Sequence, residues 1–531
     1  MDEEANKPSS EKGNRLLKSG AIVSAMTMLS RVLGLVRDIV IAIFIGAAAN
    51  ADAFFVAFKV PQFLRRLFAE GAFSQAFVPV LADYKAQGST EVVQLLVNRV
   101  AGVLGGSLVL ITSMMVLGAP LITALFAPGF IGDPVKYTLT SDMIRITFPY
   151  LFLISMTGFC GAVLNSYGQF AVPAFTPIWL NLSLITGAVW VSPQLSEPVF
   201  ALAWAVLVAG VIQLLFQLPF LAHKGLLPRP HWDPKDEGVQ QIMTLMLPAL
   251  FGVSVSQINL MFDTIIASFL PTGSVSWLYY SDRLMELPLG VFGIAIATVV
   301  LPNLSRFQAI KSEKDFAETL DWGLRSVMFI ALPASLALIM MAEPILLTLF
   351  QYGAFAAEDV SMAVLSLRAY SLGLLAFMLI KVLAPGYYAR KDMKTPVSIG
   401  IKAMVANMVL NIILVLPLYH YWNIGHVGLA LATSLAAFLN AGLLLSGLCR
   451  QGIYQFRQDW VVFIMRLLIA TAAMGFLIGI LQNETALWLH WGWQRRAYEL
   501  AILCVSGLTS YLLILWLLGM RASHLYARRH S

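Results

Sequence analysis

The sequence predicts an all-α integral membrane protein with about 14 transmembrane helices: two six-helix lobes in parallel pseudo-repeat around a central cavity, plus a C-terminal helix pair. Three observations predict it. The 531 residues are 59% hydrophobic and 12% charged, with a mean hydropathy of +0.77, against about 25% charged residues in an ordinary soluble chain. Apolar runs of the roughly 20 residues that cross a bilayer recur from end to end. The chain also aligns with itself at an offset of about 224 residues.

Residues 1–15, with "DEEANKPSSEKGN", hold too little apolar surface to pack and read as a polar cytoplasmic tail. The first apolar stretch is too long for a cleavable signal peptide and lacks a small-residue cleavage pattern. The N-terminal lobe, 16–222, holds spans near 19–46, 52–80, 93–118, 138–166, 172–192 and 197–222. The C-terminal lobe, 238–448, holds spans near 238–270, 274–305, 316–342, 361–388, 396–419 and 425–448. The pair at 460–520 has spans near 460–482 and 496–520, and 521–531 is a basic tail.

Orientation is set by the Lys/Arg bias of short loops. With both termini in the cytoplasm, the inner loops carry most of the basic residues, among them Lys85, Lys224, Arg229, Lys391 and Arg450, while the outer loops hold little beyond Lys136, Arg495 and Arg496. The net charge of +6 is therefore a topology signal and no indication of nucleic-acid binding. Cys160, Cys449 and Cys504 form neither a disulfide framework nor a metal-ligand spacing. The seven histidines lie at loops or span ends, with no HExxH.

The repeat pairs Ser30 with Ser254 and Lys59 with Arg283, and sets "LFAPGF" at 125–130 against "LFQYGAF" at 349–355. Six helices per repeat is an even number, so both halves run in the same sense, the pattern of transporters whose halves are related by an axis along the membrane normal and rock against each other.

The charges inside the spans are the functional signal. On the first helix Ser24, Thr27, Ser30, Arg31, Gly34, Arg37 and Asp38 fall within an arc of roughly 140°. On the second, Asp52, Lys59, Gln62, Arg66 and Glu70 form a stripe, with Arg65 about a quarter turn from Arg66. On the eighth, Asp282, Arg283 and Glu286 sit within one turn, after Ser276, Tyr279 and Tyr280. A charge at the bilayer centre costs about 2.5–3.5 kcal/mol, so these groups face protein or water. Salt bridges within the protein, such as Arg37 with Asp38 or Asp52, explain some of them. An excess of guanidinium, whose planar fork grips phosphate oxygens and stays charged when partly dehydrated, points to a cavity for a di-anionic or pyrophosphate head group.

The segments "SRVLGLVRD" from Ser30, "DAFFVAFKVPQFLRRLFAEGAFSQAFVPVLADYK" from Asp52, "GSVSWLYYSDRLMELPLGVFGIAIATVVLP" from Gly273 and "KVLAPGYYARKDMKTPV" from Lys381 resemble the MurJ/MviN family. These are bacterial lipid II flippases of the multidrug/oligosaccharidyl-lipid/polysaccharide exporter superfamily, and the resemblance covers essentially the whole chain after the tail. It implies a non-enzymatic carrier in the bacterial inner membrane that moves the undecaprenyl-pyrophosphate-linked disaccharide-pentapeptide, lipid II, to the periplasmic leaflet for cell wall biogenesis. It implies substrate contacts at Arg31, Arg37, Arg65, Arg283 and Asp52. Periodicity slightly favours Arg66 over Arg65, and the family favours Arg65. Ser30, Asp38, Lys59, Gln62, Arg66, Glu70, Ser276, Asp282 and Glu286 are read as supporting the cavity or its gates. Gln62 stands where the family commonly has asparagine. The last two helices resemble the family's lipid-tail groove. Some family members hold a cation between helices seven, eleven and twelve, and Asp263, Asn407, Asn411 and Thr433 offer oxygens of the type sodium needs.

Two other classes stand beside this reading. An exporter of drugs or of another polyprenyl-linked glycan shares the architecture, although a cation-drug exporter calls for an acidic or aromatic cavity. A membrane enzyme acting on glycosyl-pyrophosphate lipids calls for a metal-pyrophosphate motif, and the sequence has none.

Overall fold

A computed structural model describes residues 9–66, 73–86 and 88–521. Its elements are helices, with no strand among the described residues, and they fall into two compact units, Met1–Phe269 and Leu270–Ser531. The first contains α1 (Ser9–Ile45), α2 (Ala49–Arg65), α3 (Ser74–Ala86), α4 (Thr90–Leu117), α5 (Ala119–Phe126), α6 (Pro134–Thr147), α7 (Tyr150–Ser166), α8 (Ala171–Thr186), α9 (Phe200–His223) and α10 (Glu237–Ser268). The second contains α11 (Ser274–Pro288), α12 (Ile294–Ala309), α13 (Glu313–Met340), α14 (Ala342–Leu349), α15 (Ala357–Tyr388), α16 (Lys394–Trp422), α17 (Gly425–Arg450), α18 (Asp459–Leu481), α19 (Thr485–His490) and α20 (Trp493–Leu517).

Among the described residues, eleven segments are long and apolar enough to cross a membrane, and they coincide with eleven of the spans read from sequence. The other three, near 19–46, 52–80 and 238–270, correspond to α1, to α2 with α3, and to α10. The span near 274–305 is two helices joined by a π-helical turn, Leu289–Gly293. Pro288 has no amide hydrogen to give the preceding turn, so the regular ladder breaks there.

The internal repeat reappears in the element pattern. Helices begin at 90 and 313, at 119 and 342, at 134 and 357, and at 171 and 394, a constant offset of 223 residues. In each half a helix of 28 residues is followed by one of 8. Packing divides the chain at a different place from the repeat: α10, the first helix of the second repeat, packs on α3 and α4 of the first unit.

Small residues bring the helices close, as expected where lipid and core are equally apolar and contact is won by backbone approach. A Cβ on Gly373 of α15 would lie 2.6 Å from Ser434 Oγ on α17, and one on Gly428 of α17 would lie 2.9 Å from Val415 Cα on α16. In the first unit Phe73, Phe77 and Phe159 close the core between α3 and α7.

The loop from α9 to α10 is tied down along α4. Gln94 Nε2 donates to Leu227 O at 2.7 Å, Asn98 Oδ1 accepts from Arg229 N at 2.7 Å, and His231 N donates to Asn98 O at 3.0 Å. Arg99 pairs with Asp236 and with Asp233. The approach is possible because Gly102 has no side chain: a Cβ there would stand 2.2 Å from His231 O. Gly102→Ala is expected to lift this loop off α4, read as faster proteolysis between 226 and 236; an unchanged cleavage rate would refute the account.

Within the second unit, the C-terminal helices are fastened to α13 and α14 at three levels. Asp321 of α13 accepts from Tyr454 Oη at 2.8 Å, Trp460 Nε1 at 2.6 Å and Arg325 Nε at 2.6 Å, and Arg325 reaches Asp459 at 2.9 Å. Midway, Tyr511 Oη donates to Phe329 O at 2.7 Å. At the far end the buried Arg496 donates to Leu347 O and Trp488 O, both at 2.8 Å, and to Gln351 Oε1 at 2.6 Å. Its charge meets carbonyls at the C-terminal ends of α14 and α19, where the helix dipoles favour a cation.

Candidate functional site

The stripe on α1 is organised around Arg37. Its Nε and Nη2 donate to Asp38 Oδ1 at 2.9 and 2.6 Å, and its Nη1 donates to Asn181 Oδ1 of α8 at 3.0 Å. Asn181 in turn donates to the Ser30 carbonyl at 3.0 Å. Arg37 and Asp38 are buried, 6% and 2% exposed. Asp38 therefore holds the guanidinium in place. Arg31 is half-buried on the same helix, and among the described residues it makes no hydrogen bond or ion pair.

On α2, Asp52 is buried and paired with Lys136 of α6 at 3.0 Å. Lys59 Nζ lies 3.5 Å from Thr264 Oγ1 of α10, and Arg65 Nη2 donates to Gln62 Oε1 at 3.1 Å. Arg65 is half-buried and Arg66 exposed; periodicity slightly favours Arg66 and the family resemblance Arg65. Glu70 lies outside the described residues.

In the second unit Arg283 pairs with Glu286 at 2.9 Å, one turn on, and its guanidinium lies 5.1 Å from the centre of the Tyr279 ring. Ser276 is fully buried and Asp282 half-buried on the same helix. Both charges of the Arg283–Glu286 pair keep substantial exposure, 33% and 43% of the side chain, so that pairing is weak and readily exchanged.

The candidate sodium ligands of the second unit form a hydrogen-bonded relay between α16 and α17. Asn411 Nδ2 donates to Asn407 Oδ1 at 3.0 Å, Asn407 Nδ2 to Thr433 Oγ1 at 3.3 Å, and Thr433 Oγ1 to Leu429 O at 2.9 Å. Asp263 belongs to α10 of the first unit and is half-buried there.

Four groups escaped the sequence reading. Asn181 is a lone amide in an apolar span and was findable by the same cost argument as the arginines. Lys136 and Arg496 read as outer-loop charges by sequence position, but they are 5% and 4% exposed. His426, read as an end-of-span histidine, is fully buried, with Nε2 3.1 Å from Met362 O and its ring against Trp277. Loop composition alone cannot separate a solvated cation from one folded inward.

A family model described as Lipid II flippase MurJ matches residues 41–492. A probable lipid II flippase MurJ of Vibrio cholerae is 54% identical, over 97% of this chain and 98% of its own. The lipid II flippase MurJ of Burkholderia cenocepacia is 40% identical, over 97% of this chain and 99% of its own. Among solved structures, a lipid II flippase MurJ in an inward closed conformation matches with a TM-score of 0.77 at 26% identity, covering 93% of this chain and 98% of that one. An inward-facing multidrug resistance MATE family transporter matches with a TM-score of 0.65 at 16% identity, over 82% of this chain and 98% of that one, a likeness of fold alone.

Proposed function

The chain belongs to the lipid II flippase MurJ family, and from that premise we propose that it carries lipid II across the bacterial inner membrane by alternating access, with arginines gripping the pyrophosphate. It is a multi-pass membrane protein, and its family consists of transporters, which change the leaflet of the lipid and leave its bonds intact. The Lys/Arg bias supports cytoplasmic termini, and hence uptake from the cytoplasmic leaflet.

The observation that carries the anion reading is Arg31. A guanidinium within a membrane span stays charged, and leaving it without an ion pair is costly unless water or an anionic ligand completes it. Arg37 is held by Asp38 and Asn181 through all three guanidinium nitrogens, so it would reach a phosphate only by exchanging one of these bonds. Arg65 and Arg283 supply further guanidinium, the latter from an exchangeable pair with Glu286. The polyprenyl tail would stay in lipid or along the apolar outer faces of α18 and α20, where Val461, Phe476 and Trp516 are exposed. A coupling cation such as sodium would draw on the amide and hydroxyl oxygens of Asn407, Asn411 and Thr433, an oxygen set of the hardness it prefers.

The test is leaflet accessibility of lipid II in cells whose only flippase is this chain. Arg31→Ala and Arg283→Ala, inserted at normal levels, are expected to lower translocation about tenfold or more and to accumulate lipid II on the cytoplasmic side, since each removes a charge-assisted fork. Full translocation by both variants would sink the assignment.

A further inference from the structure

The buried pair of Asp52 and Lys136 is a built site. Asp52 stands in the first turn of α2 and Lys136 in the first turn of α6, with the charges 3.0 Å apart and exposures of 1% and 5%. The lysine is held from several sides. Asp133 Oδ1 accepts from its amide at 3.1 Å, Thr140 Oγ1 donates to its carbonyl at 2.7 Å, and the Phe130 ring lies 4.2 Å from Nζ. Further along the two helices, the Thr147 hydroxyl reaches the Ala57 carbonyl at 3.3 Å.

This placement is an odd one if stability were its purpose. A cation in the first turn of a helix opposes the helix dipole, and a buried ion pair seldom improves on apolar residues of the same size. What the pair does supply is geometry, because separating its members leaves a charge in a water-excluded pocket. A carboxylate held against an ammonium in such a pocket is also a poor partner for an incoming head group.

We propose that Lys136 is a positioning residue for transport. By pairing with Asp52 it fixes the head of α2, and with it the stations of Lys59, Gln62 and Arg65 along that helix. Asp52 then acts through the pair, and its carboxylate does not bind substrate. The inference takes its substrate from the flippase reading, while the geometry is independent of it.

The experiment compares Lys136→Met, Lys136→Arg, Asp52→Asn and the double variant Asp52→Asn/Lys136→Met as full chains. Membrane level, support of growth in cells dependent on this chain, lipid II translocation, and lipid II binding by the purified protein are measured for each. Lys136→Met is expected to cut growth support and translocation tenfold or more, with a smaller fall in lipid II binding that the double variant relieves. Lys136→Arg should restore most of the loss, and the double variant should outperform either neutralising single variant. Wild-type transport by Lys136→Met would overturn the proposal, and so would a loss of lipid II binding that the double variant leaves as deep as in Lys136→Met, which would make Lys136 a ligand rather than a partner of Asp52. Should Lys136→Met fail to insert, the double variant decides: inserted normally yet no better than Asp52→Asn, it would show the carboxylate acting alone. A wild type that supports growth but neither binds nor moves lipid II would refute the substrate assignment, leaving the pair to be judged on growth.

Discussion

Arg37→Ala is expected to abolish lipid II translocation and to destabilise the first unit by about 3–5 kcal/mol, the usual result of removing one member of a buried ion pair. The variant leaves Asp38 buried at 2% exposure without the Arg37 guanidinium beside it, and it strips Asn181 of its bond from Arg37, leaving its bond to the Ser30 carbonyl. Arg37→Lys should recover part of the stability and little of the transport. Three separate guanidinium nitrogens make these bonds, whereas a lysine presents one. Asn181→Ala should be milder, about 1–3 kcal/mol, since it removes hydrogen bonds to Arg37 and to the Ser30 carbonyl but leaves the Arg37–Asp38 ion pair in place. Thermal unfolding in detergent beside leaflet accessibility in cells separates the two losses. Transport above half the wild-type level by Arg37→Ala, at normal abundance, would remove Arg37 from the binding machinery.

Asp321→Ala should have the second large effect, again about 3–5 kcal/mol, localised to the second unit. One carboxylate receives the Tyr454 hydroxyl, the Trp460 indole N–H and the Arg325 guanidinium, so its loss leaves three donors without their acceptor and Arg325 leaning on the more exposed Asp459. Burial, and then the neighbouring Asp321 carboxylate, push the Tyr454 hydroxyl far above the usual phenol range. It therefore donates this bond at any physiological pH. The expected readouts are a lowered melting temperature and faster proteolysis in the 451–458 loop, because this cluster fastens the start of α18 to α13. Trp460→Phe should cost less, about 1.5–3 kcal/mol, the loss of one hydrogen bond to a charged group. Unchanged proteolysis in Asp321→Ala would mean that Tyr511 and Arg496 suffice to dock the pair.

Much of this was legible in the chain. The spans follow from apolar length, and the repeat seen as a weak self-match returns as an offset in helix starts of 223 residues. The stripe on α1 was readable because helical periodicity places Ser30, Arg31, Arg37 and Asp38 on one side whatever they pack against. The partner of Asp52 was not readable, since Lys136 is 84 residues away in sequence and sits in what passes for a loop by composition. Nor was the docking of the last helices: Asp321 meets residues more than 130 positions distant.

Composition, periodicity and motifs are enough to establish a helical membrane protein, the run of its spans, the family it resembles, and the concentration of guanidinium on particular helix faces. These are consequences of local composition and of a period of 3.6 residues. Which charges already have a partner within the protein depends on the fold. It pairs Arg37 with Asp38 and Asn181, buries Lys136 against Asp52, links Asn407 and Asn411 to Thr433, and leaves Arg31 without an ion pair among the described residues. The reason is physical: the cost of a charge in a membrane is a property of its residue type, whereas its compensation depends on whichever distant group the fold brings within about 3 Å.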